Sequence, residues 1–186
     1  MKRALDLTLL FVAAPLLLPL TFALIVVVLA ADGWPVFFLQ TRVGLGRRSF
    51  RIVKLRTMTT EPDPSARRVT PLGRFLRGRG LDELPQLWNV LRGEMSLVGP
   101  RPLTPDDSER LESRHPAFAR RFERPPGLTG LAQVCLARGA ALTAELDAAY
   151  ARRRSLRLDL FLLARTAAMN LAGKHRAALA PEAMLD

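Results

Sequence analysis

The hydrophobic pattern of the chain begins with a long apolar run. Residues 7–31 carry no charged side chain over 25 consecutive positions. As an α-helix this run would measure about 37 Å, which exceeds the roughly 30 Å of a bilayer hydrocarbon core. A secretory signal has a shorter apolar region and precedes an exported domain, whereas a basic domain follows here. The pattern therefore predicts a membrane helix that is not cleaved.

Two features of this run favour a helix that enters and leaves the same leaflet. Pro15 and Pro19 lie near its middle, where each removes a backbone donor and disfavours a straight helix. Lys2 and Arg3 precede the run and several arginines follow it, and basic flanks favour the cytoplasmic side. We therefore expect a re-entrant anchor with its bend near Pro19. A straight transmembrane helix is the alternative.

Two short segments after the anchor have the composition of strands. Residues 35–43 and 50–58 are rich in β-branched and aromatic side chains, and the turn between them contains Gly44 and Gly46. Such a pair of segments around a glycine-containing turn predicts a β-hairpin.

The period of the apolar positions then changes to that of a helix. Four apolar residues from Leu84 to Leu91 fall at i, i+3, i+4 and i+7. Asp82 lies where an N-cap is expected, Glu83 falls in the first turn, and Gly93 follows the last turn as a C′ residue. Read alone, the two acids would be helix-capping residues.

Further helices are indicated towards the C-terminus. Thr104 followed by Pro105 is a typical helix start, and Pro116 should end or kink that helix. Residues 124–130 are predicted to form a loop. Residues 143–173 return to a helical pattern that joins an arginine cluster to an apolar stretch, which suits either a core helix or one in the membrane interface.

The charge of the chain is strongly basic and unevenly placed. The net charge is +11, and residues 40–80 hold 11 basic and 2 acidic side chains, so +9 falls within this segment. Nucleic-acid binding would call for aromatic residues interleaved with these charges, and few occur there. A phosphate site beside a membrane accounts for both the charge and the anchor.

Cysteine and histidine are scarce. A single cysteine, Cys135, excludes an intrachain disulfide. With only two histidines besides, a zinc site of the usual kind is excluded as well.

At this point several stretches together resemble the bacterial sugar transferase family, the small monotopic phosphoglycosyl transferases. They occur in the family's order over nearly the whole chain, and the long block around the two acids is highly specific. The matching stretches are KRALDL, PVFFLQTRVG, FRIVKLRTM, LGRFLRGRGLDELPQLWNVLRGEMSLVGPRP, PGLTGLAQV and ELDAAYARRRSLRLDLFLLARTA.

The resemblance implies an enzyme at the cytoplasmic face of a bacterial inner membrane. It would move a phospho-sugar from a UDP-sugar to polyprenyl (undecaprenyl) phosphate, release UMP and so begin exopolysaccharide, O-antigen or other glycan synthesis. The family uses Mg²⁺ and a covalent two-step route in which the acids of its LDE motif are catalytic. These acids correspond here to Asp82, as nucleophile and metal ligand, and Glu83.

Further site residues follow from the same resemblance and from charge. Arginine and lysine bind phosphate, so we predict phosphate contacts from Lys54, Arg56, Arg77 and Arg101. The nucleotide-sugar end of the family motif predicts a second set, which comprises Gly127, Thr129, Gln133 and Arg138.

The chain departs from the family pattern near this second set. Pro125 stands where the family has arginine, with Arg124 one place upstream, and Leu131 replaces a tryptophan. Cys135-Leu136-Ala137 replaces Asn-Gly-Arg, and Arg138 could substitute for the lost arginine. Two alternatives to catalysis stay open on sequence grounds: a basic membrane-tethered binding module, and an inactive relative that scaffolds glycan assembly.

The predicted fold is α+β and mainly helical. It comprises a re-entrant membrane anchor over residues 1–33, a catalytic domain over 34–175 with the β-hairpin and interfacial amphipathic helices, and a tail over 176–186. The expected partners are the UDP-sugar, the polyprenyl phosphate and a phospholipid membrane, and nucleic acid is not expected. A homodimer is left open.

Overall fold

The structure is a computed structural model and describes residues 2–172. The predicted tail over 176–186 lies outside this range. The chain is mainly helical, as predicted. Its helices are α1 Lys2–Asp32, α2 Pro71–Arg79, α3 Leu87–Arg92, α4 Pro105–Arg114, α5 Leu131–Val134, α6 Ala140–Arg153 and α7 Leu156–Ala172, and its strands are β1 Phe37–Val43, β2 Ser49–Leu55, β3 Ser96–Val98 and β4 Gly127–Thr129.

Helix α1 contains the apolar run and both of its prolines, and it is assigned as one helix of 31 residues. By length and composition it is able to cross a membrane. Its middle is exposed, with Phe11 64% and Leu16 73% accessible, whereas Asp6 and Val28 near its two ends are buried. Both ends of α1 therefore pack against the rest of the protein.

The start of α1 is held by a buried polar network. Lys2 lies 2.8 Å from a carboxylate oxygen of Asp159 in α7. The Asp6 carboxylate accepts hydrogen bonds from the Ser96 hydroxyl at 2.8 Å and the Leu97 amide at 3.3 Å, both in β3. The Tyr150 hydroxyl of α6 donates to Asp159 over 2.7 Å. The pKa of Tyr150 is raised, first by burial and then by this carboxylate.

The predicted hairpin is confirmed. Strands β1 and β2 pair antiparallel, from Phe37 opposite Leu55 to Val43 opposite Ser49. The connection is a 3₁₀ turn in which Gly46 has φ +58° and Arg47 φ +63°. Gly46 provides the left-handed conformation that side chains resist.

The segment with the two acids differs from the prediction. Gly80, at φ +67°, ends α2 and also starts a 3₁₀ helix over Leu81–Gln86, which runs directly into α3. Asp82 lies inside this 3₁₀ helix, so its prediction as an N-cap is wrong: the glycine already makes the reversal, which leaves no separate capping position. The predicted C-terminal Gly93 is confirmed at φ +82°.

The predicted loop over 124–130 contains β4, which pairs in parallel with β3. The pairing depends on glycine because a Cβ built on Gly127 would lie 2.0 Å from the Gly99 nitrogen, and one on Gly130 would lie 2.1 Å from the Gly99 carbonyl oxygen. The glycines of two separate sequence motifs therefore pack backbone against backbone. The prolines and glycines in and around this three-residue strand have the composition of a turn, so the sequence did not predict it.

The C-terminal helical region is two helices rather than one. Arg154 has a non-helical backbone after α6, and the Ser155 hydroxyl accepts a hydrogen bond from the Leu158 amide at 3.2 Å as α7 begins. The region also begins at Ala140, three residues before the predicted start. Both boundaries of α4 were predicted correctly: Thr104 caps it by accepting from the Asp107 amide, and it ends before Pro116.

The core has two parts. The larger is formed by β2, β3, α3 and the three C-terminal helices and contains the fully buried Leu146, Tyr150 and Leu162. The smaller joins Val28 of α1 and Leu55 of β2 to Leu76 of α2. The hairpin and the 3₁₀ helix lie between these two parts, which places the two acids beside both.

Candidate active site

A cavity of about 660 Å³ lies between the hairpin, the loop after β2 and the 3₁₀ helix. We call it the first cavity. Its carboxylates are Asp82 and Glu83, which come from the 3₁₀ helix. Its basic lining residues are Arg42, Lys54, Arg56, Arg67, Arg77 and Arg101. The structure thus brings both predicted acids and all four predicted phosphate contacts to one cavity.

Asp82 is buried, with 7% of its surface accessible, although it lines the cavity. Six basic side chains line the same cavity, and their positive charges attract anions towards it. The residue is thus placed for chemistry with an anionic phosphate that the surrounding cations attract.

Glu83 is held by two of these cations. Its Oε1 lies 2.7 Å from Lys54 Nζ and 3.6 Å from an Arg101 guanidinium nitrogen. The Lys54 and Glu83 side chains are mostly buried, at 15% and 20% accessible, whereas the Arg101 side chain is 51% accessible. Lys54 therefore fixes the position of Glu83, and Arg101 extends from it into the open cavity.

Arg56 and Arg77 direct donors towards protein atoms. The Arg56 guanidinium donates to the carbonyls of Pro35 at 2.6 Å and Gly33 at 2.8 Å, and also to that of Asp32. It therefore ties the end of α1 to the hairpin. Arg77 Nε donates to the Thr57 hydroxyl at 2.7 Å. The phosphate contacts of both residues stay predictions.

A second cavity, of about 560 Å³, lies between the 3₁₀ helix, α5 and α7. It contains Thr129, Gln133 and Arg138 of the predicted nucleotide-sugar set. Gly127, the remaining member, lines a small cleft between the two cavities together with Gln133. Glu83 and Arg101 line both large cavities and the cleft, so these two residues form the boundary between the phosphate set and the nucleotide-sugar set.

The altered sequence after β4 forms a turn at the edge of the second cavity. Leu136 has φ +50° and Gly139 φ +86°, and Arg138 lies exposed between them. Gln133 donates through Nε2 to the Leu128 carbonyl at 3.1 Å, while its Oε1 is buried without a hydrogen-bond partner. The Thr129 hydroxyl lies 2.5 Å from that of Thr166.

Two cations of the first cavity, Arg42 and Arg67, were not among the predicted phosphate contacts. Arg42 was counted only among the residues flanking the anchor, yet it lines the first cavity and the cleft. Burial, and then the positive charge of Arg101, lowers the pKa of Arg42. Arg42 lies in β1 opposite Phe50, on the inward face of the hairpin. Because side chains alternate between the two faces of a strand, this position could have been predicted from the hairpin register.

The residues present fit a magnesium ion. Within residues 2–172 no group of three or more histidine, cysteine or acidic side chains is gathered. Mg²⁺ does not need one, because it is usually held by one or two carboxylates with water and substrate phosphates. Asp82 supplies such a carboxylate at the wall of the first cavity, and Glu83 lies beside it.

The whole described range is similar to known proteins. The sequence model for "Bacterial sugar transferase" matches residues 1–173. A "UDP-glucose:undecaprenyl-phosphate glucose-1-phosphate transferase" of Caulobacter vibrioides is 46% identical over 186 residues, which cover 89% of this chain and 67% of the relative. An "Undecaprenyl-phosphate glucose phosphotransferase" of Komagataeibacter xylinus is 40% identical, covering 87% of this chain and 34% of the relative.

A third relative is closer to this chain in length. The "Exopolysaccharide production protein ExoY" of Rhizobium meliloti is 35% identical over 190 residues, covering 89% of this chain and 83% of the relative. The chain thus spans about a third of the Komagataeibacter protein and about two thirds of the Caulobacter protein.

Proposed function

The chain belongs to the bacterial sugar transferase family, and from this premise we propose that it transfers a phospho-sugar from a UDP-sugar to undecaprenyl phosphate and releases UMP. The relatives' names supply the donor and acceptor classes. The observation that carries the proposal is the first cavity, where two adjacent carboxylates are surrounded by basic side chains. Both substrates are anions, and a catalyst must offset their mutual repulsion.

We propose Asp82 as the nucleophile. Its carboxylate oxygen attacks the sugar-bearing phosphorus of the UDP-sugar, the bond from that phosphorus to the UMP oxygen breaks, and UMP leaves. The phosphate oxygen of the polyprenyl acceptor then attacks the same phosphorus and returns the Asp82 carboxylate. Splitting one substitution into two is the general advantage of covalent catalysis.

The neighbouring residues prepare this attack. Arg101, exposed at the boundary of both cavities, is positioned to bind a diphosphate that reaches from one to the other. Lys54 holds Glu83 beside the reaction centre, where Glu83 is proposed to handle the metal or the acceptor proton. When bound, Mg²⁺ would neutralise developing phosphate charge, and Asp82 is its proposed ligand.

We further propose that α1 is a re-entrant anchor in the inner membrane, with the cavity on the cytoplasmic side. Asp6 at its start contacts β3, and the carbonyl of Asp32 at its end accepts from Arg56. A straight helix of 31 residues would be about 46 Å long. Two observations support a bend. Both ends of α1 contact the rest of the protein, and its exposed apolar middle contains two prolines.

The decisive experiment replaces the nucleophile. Asp82→Asn keeps the size of the side chain and removes the charge, so we expect release of UMP from UDP-glucose, undecaprenyl phosphate and Mg²⁺ to fall by at least about 10³-fold. Asp106→Asn, on the exposed face of α4, is the matched control and should retain wild-type turnover.

Mass spectrometry of the wild type after incubation with UDP-sugar alone should find a phospho-sugar adduct on the peptide that contains Asp82. Normal turnover by Asp82→Asn would refute the nucleophile assignment. An absence of UMP release across a panel of UDP-sugars, from folded protein in vesicles, would instead favour the non-catalytic scaffold.

A further inference from the structure

The segment Pro100-Arg101-Pro102 is fixed in the structure through its carbonyl groups. The Pro100 carbonyl accepts from the Gly127 amide at 2.8 Å. The Arg101 carbonyl accepts from an Arg121 guanidinium nitrogen at 2.5 Å, and the Pro102 carbonyl accepts from Arg42 at 3.3 Å. Three consecutive carbonyls are thus bound by donors from β4, from the 3₁₀ helix Pro116–Glu123 and from β1.

This arrangement follows from the chemistry of the segment. Its two prolines have no N–H, so the main chain has few donors of its own and is held mainly as an acceptor. Its one long side chain, that of Arg101, is half exposed and reaches Glu83. The direction of that side chain therefore depends on donors supplied by other elements.

Arg121 is the buried member of this set. Its guanidinium lies 3.2 Å from an Asp147 carboxylate oxygen of α6, and both side chains are about 95% buried. It also stacks over the Phe118 ring at 4.4 Å from the centroid. Arg121 lines neither large cavity, so it has no direct access to a substrate there.

We propose that Arg121, held by Asp147, is a positioning residue that acts on the reaction through the main chain of Arg101. The proposal rests on the proposed function, in which Arg101 binds the donor diphosphate. A buried ion pair is weak evidence for stability as such, because desolvation offsets its attraction. Here one guanidinium nitrogen of Arg121, Nη2, lies against both the Asp147 carboxylate and the Arg101 carbonyl. The position of that nitrogen is therefore shared between the ion pair and the contact that holds the Arg101 main chain.

The first experiment separates positioning from folding. Arg121→Met alone would leave Asp147 as an unpaired buried charge, so the test variant is Arg121→Met with Asp147→Leu, which replaces the pair by apolar side chains. We expect it to fold, as judged by thermal denaturation, and to lose about 10- to 100-fold in kcat/KM for UDP-glucose. Arg120→Met, at the exposed neighbouring position, should change kcat/KM by less than twofold.

The second experiment tests whether Arg121 acts through Arg101. In an Arg101→Ala background the same double substitution should reduce kcat/KM by less than about twofold, because the side chain that it positions is gone. Arg121→Lys keeps a charge beside Asp147 but loses the planar guanidinium that stacks on the Phe118 ring, and should recover only part of the activity. Equal fold losses in the two backgrounds, or full activity of the double variant, would overturn the proposal.

The third experiment does not depend on turnover. The amides of Gly127 and Val43 donate to the carbonyls of Pro100 and Leu103, on either side of the contact with Arg121. Hydrogen exchange of these two amides should be faster in the double variant than in Arg120→Met, in which the carbonyl contact remains. If the wild type releases no UMP, the proposed function fails, and exchange still decides the positioning role. Unchanged exchange at both amides would refute it.

Discussion

Among single residues, the basic side chains of the first cavity differ in whether their N–H donors are already hydrogen-bonded to protein atoms. Those of Arg56 are directed to four backbone carbonyls, three of them within residues 32–35 at and after the end of α1, so its charge stabilises a chain reversal. Lys54 is bound to Glu83, and Arg101 is half exposed. The sequence groups these residues by charge alone, whereas the structure separates the anchor contact from the residues available to a substrate.

One buried residue gives a pH-dependent prediction at this scale. Burial, which outweighs the attraction of Arg121, raises the pKa of Asp147 to about 6 from its ordinary value near 4. The folded protein therefore holds this proton more tightly than the unfolded chain does. The contribution of Asp147 to stability is present at low pH and is lost as pH rises from about 4 through 6.

The comparison of wild type with Asp147→Asn measures this contribution. The difference in Tm, wild type minus variant, should fall between pH 4 and 6 and stay level from pH 7 to 8, because Asp147 is then ionised in both states. Thermal denaturation in detergent at each pH would show it. A difference that rises with pH over this window would contradict the raised pKa.

At the scale of elements, the ends of helices were more predictable from sequence than their packing. Thr104, Gly93 and Pro116 act locally, through hydrogen bonds or backbone angles of their own, so their roles can be read from a few neighbours. The pairing of β3 with β4 joins residues about 30 positions apart through backbone atoms alone. No hydrophobic period marks such a contact, which explains why the sequence predicted a loop.

The site was predictable to a similar extent. Charge and motif indicated that the acids and the four phosphate-binding candidates share one region, and the structure places them in one cavity. Arg121 gave no signal, since it lies among several arginines and only its burial against Asp147 distinguishes it. The capping interpretation of Asp82 failed because Gly80 ends one helix and starts the next within a single residue.

Helix α2 allows a prediction with an internal control. A Cβ on Gly73 would lie 2.2 Å from the Thr57 carbonyl oxygen, whereas one on Gly78 would meet nothing within 4 Å. Both glycines lie within the same helix, where alanine is the better helix former by roughly 0.5–1 kcal/mol. Gly78→Ala should therefore raise the free energy of unfolding by about this amount.

Gly73→Ala should instead lower the free energy of unfolding by about 1–3 kcal/mol, because the helix must move away from backbone that cannot yield. It should also reduce turnover, since Thr57 and Arg77 are joined at the wall of the first cavity. Denaturant unfolding of the two variants measures the contrast. Equal stability of both would show that α2 does not pack on Thr57 as described.

In the whole molecule, helix α1 and the elements that form the first cavity share one polar framework. Lys2 and Asp6 at the start of α1 bind α7 and β3, and Arg56 binds its end beside the hairpin that lines the cavity. The apolar middle of the helix contributes little to this framework. In the re-entrant arrangement that we propose, a helix fixed at both ends beside one site would place the site close to the membrane surface, where a polyprenyl phosphate would have its charged group.

The re-entrant arrangement makes a topological prediction. Single cysteines introduced before Met1, in a short tag, and in place of the exposed Trp34 should both react with a membrane-impermeant maleimide in inverted inner-membrane vesicles. Neither should react in right-side-out vesicles, because both ends of α1 would lie on the cytoplasmic side. The native Cys135 is buried and should remain unlabelled in folded protein.

Labelling of the tag from the periplasmic side, with Trp34→Cys labelled from the cytoplasmic side, would establish a crossing helix. It would also require that the contacts of Lys2 and Asp6 with α7 and β3 be absent in the membrane, since the two ends of a crossing helix cannot reach the same body.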